Sequence, residues 1–300
     1  MNKIPYRKTH LSFVQQADLL ISRGLIAKKN VLLLKLESVN YYRLSGYWYQ
    51  FKEENDDFFQ PGTTINVIWN RYTFDRQFRL LIMDAIERFE ISLRTKLSHQ
   101  FTQKHGPFDY SNPNFFPGLI LKEHCQFLLN LSNITDSSKE LFVKHYRDKY
   151  GDGYLPLWAA VENMTIGMLL TFYKGTESDI KKVVALEYGV DEKVLKSWIG
   201  CLNSVRNICA HHARLWNKTL GYKPSLPNKD PLWNSSMKVD TEKIFCVILI
   251  LKYLLNIIAP QSSWPSRLEN LFQQYQYLPI NKEQMGIPID WKSHPVWIMK

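Results

Sequence analysis

The chain has 300 residues, 45% of them hydrophobic, which is enough apolar material for one large core or two small ones and excludes disorder over most of its length. Lysine and arginine outnumber aspartate and glutamate by 38 to 28, a formal net charge of +10 that favours an anionic partner, nucleic acid or a membrane surface first among them. The N-terminal MNKIPYRKTHLSF is basic but has no apolar run and no small-residue cleavage site, so it does not read as an export signal. Phe13, Val14, Ala17, Leu20 and Ile21 recur at the spacing of one helix face, with Ser12 as N-cap and Gly24 at the stop. A second short helix is expected over Asn30 to Val39. The next stretch, NYYRLSGYWYQF from Asn40 to Phe51, is dense in aromatic residues and broken by Gly46, and its alternation predicts a short strand or hairpin before the acidic turn EENDDFFQPGTT.

A long helix is predicted from about Val67 to Lys104, with Phe74, Phe78, Leu81, Ile82, Ala85, Ile86, Phe89, Leu93 and Leu97 on its apolar stripe. The proline-rich Gly106 to Gly118 reads as a loop. Helices follow over Lys122 to Leu131, Lys139 to Tyr150, Leu157 to Tyr173, Asp179 to Tyr188 and Asp191 to about Leu215. After a second proline-rich connection, Asp240 is placed to cap an apolar helix running to Ile258. That run is shorter than the roughly 20 residues a membrane span needs and is interrupted by Lys252, so a buried helix is the reading and no membrane role is expected. A shorter amphipathic helix, Ser266 to Tyr275, precedes a tail rich in Pro and Trp. The expected organisation is all-α: an N-terminal subdomain over 1–66, a helical bundle over 67–258 and a C-terminal helix and tail over 259–300. Cys125, Cys201, Cys209 and Cys246 show no C-x-x-C spacing and read as reduced thiols of a cytoplasmic protein.

Chemistry concentrates in VRNICAHHARLWN, Val205 to Asn217. Asn207 and His211 are i, i+4 neighbours on one helix face, whereas Arg206 is turned from His211 by about 140° and reaches it through its long side chain or a local break. Val194, Trp198, Leu202, Val205 and Cys209 continue the apolar stripe, so the polar cluster lies beside the core. Imidazole, with an ordinary pKa of about 6.5, suits both proton transfers of phosphodiester cleavage in RNA. A guanidinium offers a permanently charged fork to the phosphoryl oxygens as charge builds on them. The carboxylate clusters of two-metal nucleases are not evident, and no metal or other cofactor is called for. An R-x4-H spacing alone also arises by chance on solvated helix faces.

The run RNICAHHARLWN resembles the R-x4-6-H signature of the HEPN superfamily, with Asn207 as the polar residue after the arginine. NYYRLSGYWYQF, FDRQFRLLIMDAIERFEISLRTKL, LPLWAAVENMTIGMLLTFYKG, RNICAHH and MGIPIDWKSHPVW resemble, in order, blocks of the bacterial Abi-like (abortive infection) proteins. The resemblance implies a HEPN-type helical bundle that dimerises so that the Arg and His of two chains face one cleft and cut RNA without a metal. It assigns Arg206 and His211 as catalytic, with Asn207 beside them, and leaves His212 within the tolerance of the spacing. It further implies a phage-defence toxin, with an RNA or protein antitoxin as a candidate partner; the alternative is a HEPN module that grips a structured RNA without cutting it. Because the long helix packs near the motif helix in such folds, Glu87 and Glu90 are candidate supports for Arg206 and Arg94 a candidate phosphate contact, although an i, i+4 Glu90–Arg94 pair fits a solvated face equally well. Arg43, Tyr42, Tyr47 and Trp48 form a basic-aromatic cluster able to stack on unpaired bases, or to serve as core.

Overall fold

Ser12 opens α1 (Phe13–Ser22) in a reciprocal capping box: its hydroxyl accepts from the Gln15 amide at 3.3 Å, and the Gln15 side chain accepts from the Ser12 N–H at 2.8 Å. Gly24, at φ +91°, then turns the chain through left-handed backbone. The computed structural model describes residues 9–54, 56–151, 153–227, 229–278 and 282–299, and it is all-helical. Among the described residues there is no strand, only two isolated β-bridges. The helices fall into two compact units, residues 1–78 with 269–280 and residues 79–268 with 281–300. These units are discontinuous in sequence, which contiguous spans such as 1–66, 67–258 and 259–300 do not express.

In the smaller unit α2 (Lys29–Val39) and α3 (Tyr41–Trp48) follow α1. The strand or hairpin expected over 40–51 is therefore a helix with a 3-10 turn. Asn40 caps it, its side chain accepting from the Tyr42 N–H at 2.7 Å, and Leu44, Tyr47 and Trp48 are buried at i, i+3 and i+4. Gly46 sits inside α3 without breaking it. The 40-residue α4 (Ile65–Lys104) gives its first part to this unit, where Phe74 and Phe78 are wholly buried. The Phe272 ring stands 6.1 Å from both and carries the 269–278 segment into the same core.

The larger unit holds the rest of α4, then α5 (Leu121–Ser137), α6 (Leu141–Lys149), α7 (Leu157–Ala160), α8 (Ile166–Gly175), α9 (Ser178–Leu186), α10 (Glu192–Ala210) and α11 (Ile244–Ile258). α12 (Trp264–Gln274) begins there, and the short α13 (Pro295–Ile298) closes the tail. The single helix expected over 157–173 is split. A 3-10 turn at Val161–Asn163 ends its first part, and the Thr165 hydroxyl restarts it by accepting from the Met168 N–H at 3.3 Å. The core element is α11, every residue of which from Ile244 to Leu255 is buried. Even Lys252 is included: its ammonium donates to Asn256 Oδ1 at 2.5 Å and to the Met299 carbonyl at 2.9 Å, and burial holds its pKa below the ordinary value. Asp240 does not cap this helix; it accepts from the Glu242 N–H one turn earlier, at 2.8 Å, and Lys243 takes the cap position. Among the described residues no helix is long and apolar enough to cross a membrane.

Candidate active site

α10 is built to present its C-terminal end. At the start Asp191 Oδ1 accepts from the amides of Lys193 and Val194 at 2.8 and 2.9 Å, which satisfies two of the donors a helix leaves open. Val194, Leu195, Trp198, Ile199, Leu202, Val205 and Cys209 are buried along one side, and the helix packs on α8, α9 and α11. Trp198 Nε1 donates to the Ser225 carbonyl at 2.8 Å, and a Cβ at Gly200 would collide with the Tyr222 ring, so the loop after the helix lies directly on it.

The helix expected to continue to about Leu215 stops at Ala210. The Ala213 N–H bonds back to the Ile208 carbonyl at 2.9 Å and the His212 N–H to the Cys209 carbonyl at 3.0 Å, the paired bonds of a Schellman turn. Such a turn needs left-handed backbone at one residue, and here His212 supplies it at φ +56°, a position where glycine is usual. His211 is the C-cap, its N–H bonded to the Asn207 carbonyl at 3.0 Å. Both histidines and Asn207 are exposed, Arg206 is half-buried, and Leu215 and Trp216 re-enter the core just beyond. The Asn207–His211 relation read from helical spacing is present as this last backbone bond. The break in the helix falls directly after His211.

Arg206 meets α4. Burial pushes the Glu90 carboxyl above its ordinary pKa, opposed by the nearby positive charges of Arg94 and Arg206 and reinforced by Glu87. Arg94 Nη2 donates to Glu90 Oε1 at 2.5 Å and to the Met164 carbonyl at 2.8 Å, while Nη1 stands 4.0 Å from Glu162 Oε2. The hydrogen-bond partner of Glu90 is therefore Arg94, Arg206 acting on it through charge alone, and Arg94 is spent inside the fold instead of being offered to a phosphate. Glu87 is exposed and acts on the cluster through its charge. Sequence reading missed Glu162 and the Met164 carbonyl; the signal for them is Thr165, whose capping habit marks the helix break that frees that carbonyl. Elsewhere on α4, Lys96 and Gln100 bond Glu187 at 2.5 and 2.9 Å and Ser92 bonds the Tyr188 hydroxyl at 2.9 Å, which fixes α4 against the end of α9.

The aromatic cluster of α3 is not an RNA platform as a whole. Tyr47 and Trp48 are 3% and 1% exposed, with the Tyr47 hydroxyl donating to Asp75 Oδ2 at 2.7 Å and the Trp48 ring packed against Tyr41 and Phe59. No face of either ring is open to a base. Tyr42 and Arg43 are exposed.

Among the described residues no group of three or more His, Cys, Asp or Glu is arranged to hold a metal ion. No curated protein and no solved structure matches the chain. The profile of the family described as Abi-like protein matches residues 34–217, a span that takes in α3, α4, the Glu90–Arg94 pair and the whole of the Arg206–His212 turn. Matched by that profile over more than half its length, the chain belongs to the Abi-like protein family.

Proposed function

We propose that the protein is a metal-independent endoribonuclease of the HEPN type, acting in abortive infection as a toxin that cleaves RNA. The observation that carries the reading is an exposed imidazole, His211, at the open end of the helix whose half-buried Arg206 lies within electrostatic reach of the Glu90–Arg94 pair of α4. One imidazole takes the proton of a ribose 2′-OH as that oxygen bonds to phosphorus. A second gives a proton to the 5′-oxygen as the P–O5′ bond breaks, leaving a 2′,3′-cyclic phosphate and a 5′-hydroxyl. Arg206 stabilises the charge that grows on the phosphoryl oxygens between these steps. Each chain carries one such motif, so a homodimer with facing motifs supplies both acid and base. The net charge of +10 suits a polyanionic substrate.

The test is cleavage of labelled RNA by purified protein in EDTA, with analysis of the product ends. His211→Ala and Arg206→Ala each lower turnover about 10²–10⁴-fold and leave most RNA affinity intact, because both groups act chiefly in the transition state. Light scattering reports a dimer at micromolar concentration. Cleavage at wild-type rate by both variants removes the catalytic assignment and leaves a HEPN module that binds RNA without cutting it.

A further inference from the structure

Within the larger unit, α5, α6 and the segment up to Trp158 enclose a cavity of about 350 Å³. Phe108, Tyr146, Tyr150, Tyr154 and Trp158 line it, and its polar wall is Asp136 and Arg147. Tyr150, Tyr154 and Trp158 are 45%, 50% and 52% exposed, an arrangement in which large rings keep faces in water around a hollow. The polar wall is pre-set. Arg147 Nη2 donates to the Thr135 carbonyl at 2.9 Å and to Asp136 Oδ1 at 2.6 Å, and the Ser132 hydroxyl donates to Asp136 Oδ2 at 3.2 Å. Trp158 Nε1 leans on the Tyr146 hydroxyl at 3.4 Å. Beside the cavity wall that Arg147 forms, α6 exposes Lys144, His145 and Lys149 against one acid, Asp148.

We infer that this cavity is a pocket for an unpaired nucleobase, an inference that rests on the reading of the protein as RNA-binding. Half-exposed rings give the stacking faces that a flat heteroaromatic base requires, and every base has such a face. The volume lies in the range of about 300–1,000 Å³ usual for small-ligand pockets, which suits a base with its ribose and not a helix. The Asp136 carboxylate, held by two donors and still largely exposed, accepts from a base N–H, while the excess of exposed cations on α6 favours the phosphates of the strand. The segment from Leu157 to Met164 also ties the pocket to the candidate active site. Trp158 lies at one end of it, and at the other the Met164 carbonyl holds Arg94, which in turn holds Glu90, the carboxylate on which the Arg206 charge acts. A strand gripped by one of its bases in this pocket is anchored to the same segment that holds Arg94 and, through it, Glu90.

The experiment uses the full chain carrying His211→Ala, in EDTA, so that the probe stays intact. The probes are a single-stranded oligoribonucleotide with one 2-aminopurine and, separately, the free 2-aminopurine riboside 5′-monophosphate. Stacking quenches the fluorophore: the expected result is saturable quenching of the oligonucleotide, competed by unlabelled single strand and not by duplex. Adding Trp158→Ala weakens it by about 5- to 150-fold in Kd, the loss of one stacked ring, and Trp158→Phe restores most of it. Equal affinity for the free monophosphate assigns the pocket to a mononucleotide, and quenching of the oligonucleotide alone assigns it to a base within a strand. Quenching unchanged by Trp158→Ala, or absent with both probes as a peptide-binding pocket would leave it, overturns the inference. Quenching that survives while the wild-type chain cuts no RNA removes only the nuclease reading; cleavage without quenching removes only the pocket. Because Trp158 is half-exposed, an unchanged unfolding midpoint verifies that its variants fold.

Discussion

Two aromatic-rich stretches of this chain set their central rings in opposite surroundings. In 40–51 the rings of Tyr47 and Trp48 are sealed against Tyr72, Tyr41 and Phe59, and the one phenol is bonded to a buried carboxylate. In 146–158 the rings of Tyr150, Tyr154 and Trp158 stand around a hollow with about half of each exposed. Aromatic density is therefore silent about role. What separates a core from a binding surface is whether protein already occupies the ring faces, and that depends on elements distant in sequence.

The largest effect that sharpens this contrast is on stability. Trp48→Ala removes a fully buried indole and costs about 3–5 kcal/mol of unfolding free energy in urea titration, whereas Trp158→Ala stays within about 0.5 kcal/mol of wild type. Equal losses would break the distinction. A smaller effect separates the phenols. Tyr47→Phe takes a hydrogen bond from Asp75, which is wholly buried, and costs about 1–3 kcal/mol, while Tyr154→Phe is close to neutral in the same titration.

The smallest effect comes from a third aromatic cluster that includes a titratable ring. His294 is fully buried near Trp233 and Phe245, its Nδ1 accepts from the Val296 N–H at 3.2 Å, and burial lowers its pKa. A folded-state pKa below the unfolded one means that the stability is fully present above about pH 6.5 and drains away as pH falls through the lowered value. Thermal midpoints measured between pH 8 and pH 5 should fall further for wild type than for His294→Asn, whose amide oxygen can still take the Val296 N–H. Parallel declines would show that the ring is not sealed as described.

Much of the helical framework was legible because its signals are local. Ser12, Gly24, and the apolar spacing of α4, α10 and α11 each lie within a few residues of what they specify. The misread elements had weaker or misleading local signals. Gly46 suggested an interruption in α3 that burial of Leu44, Tyr47 and Trp48 overrides, and the break at 161–165 is marked only by a threonine. The end of α10 was placed too late because the expected stop residue is glycine, and His212 occupies the left-handed position instead. The motif residues were named through the resemblance, their spacing alone being common, and the charge of Arg206 reaches Glu90, 116 positions earlier, a proximity that no periodicity carries. The cavity was invisible for the same reason.

Lys252 places a demand on the order in which the chain matures. It is embedded in the most apolar helix of the larger unit and takes one of its two acceptors from Met299, 47 residues later. During synthesis α11 emerges well before that carbonyl exists, so the ammonium has to wait in water or rest on Asn256 alone, and a buried cation short of acceptors is costly. The unit that carries Arg206 and His211 is thus fastened from its distal end, after translation has passed residue 299. A chain arrested before that point leaves the Lys252 ammonium with Asn256 alone as acceptor in the most apolar helix of the unit.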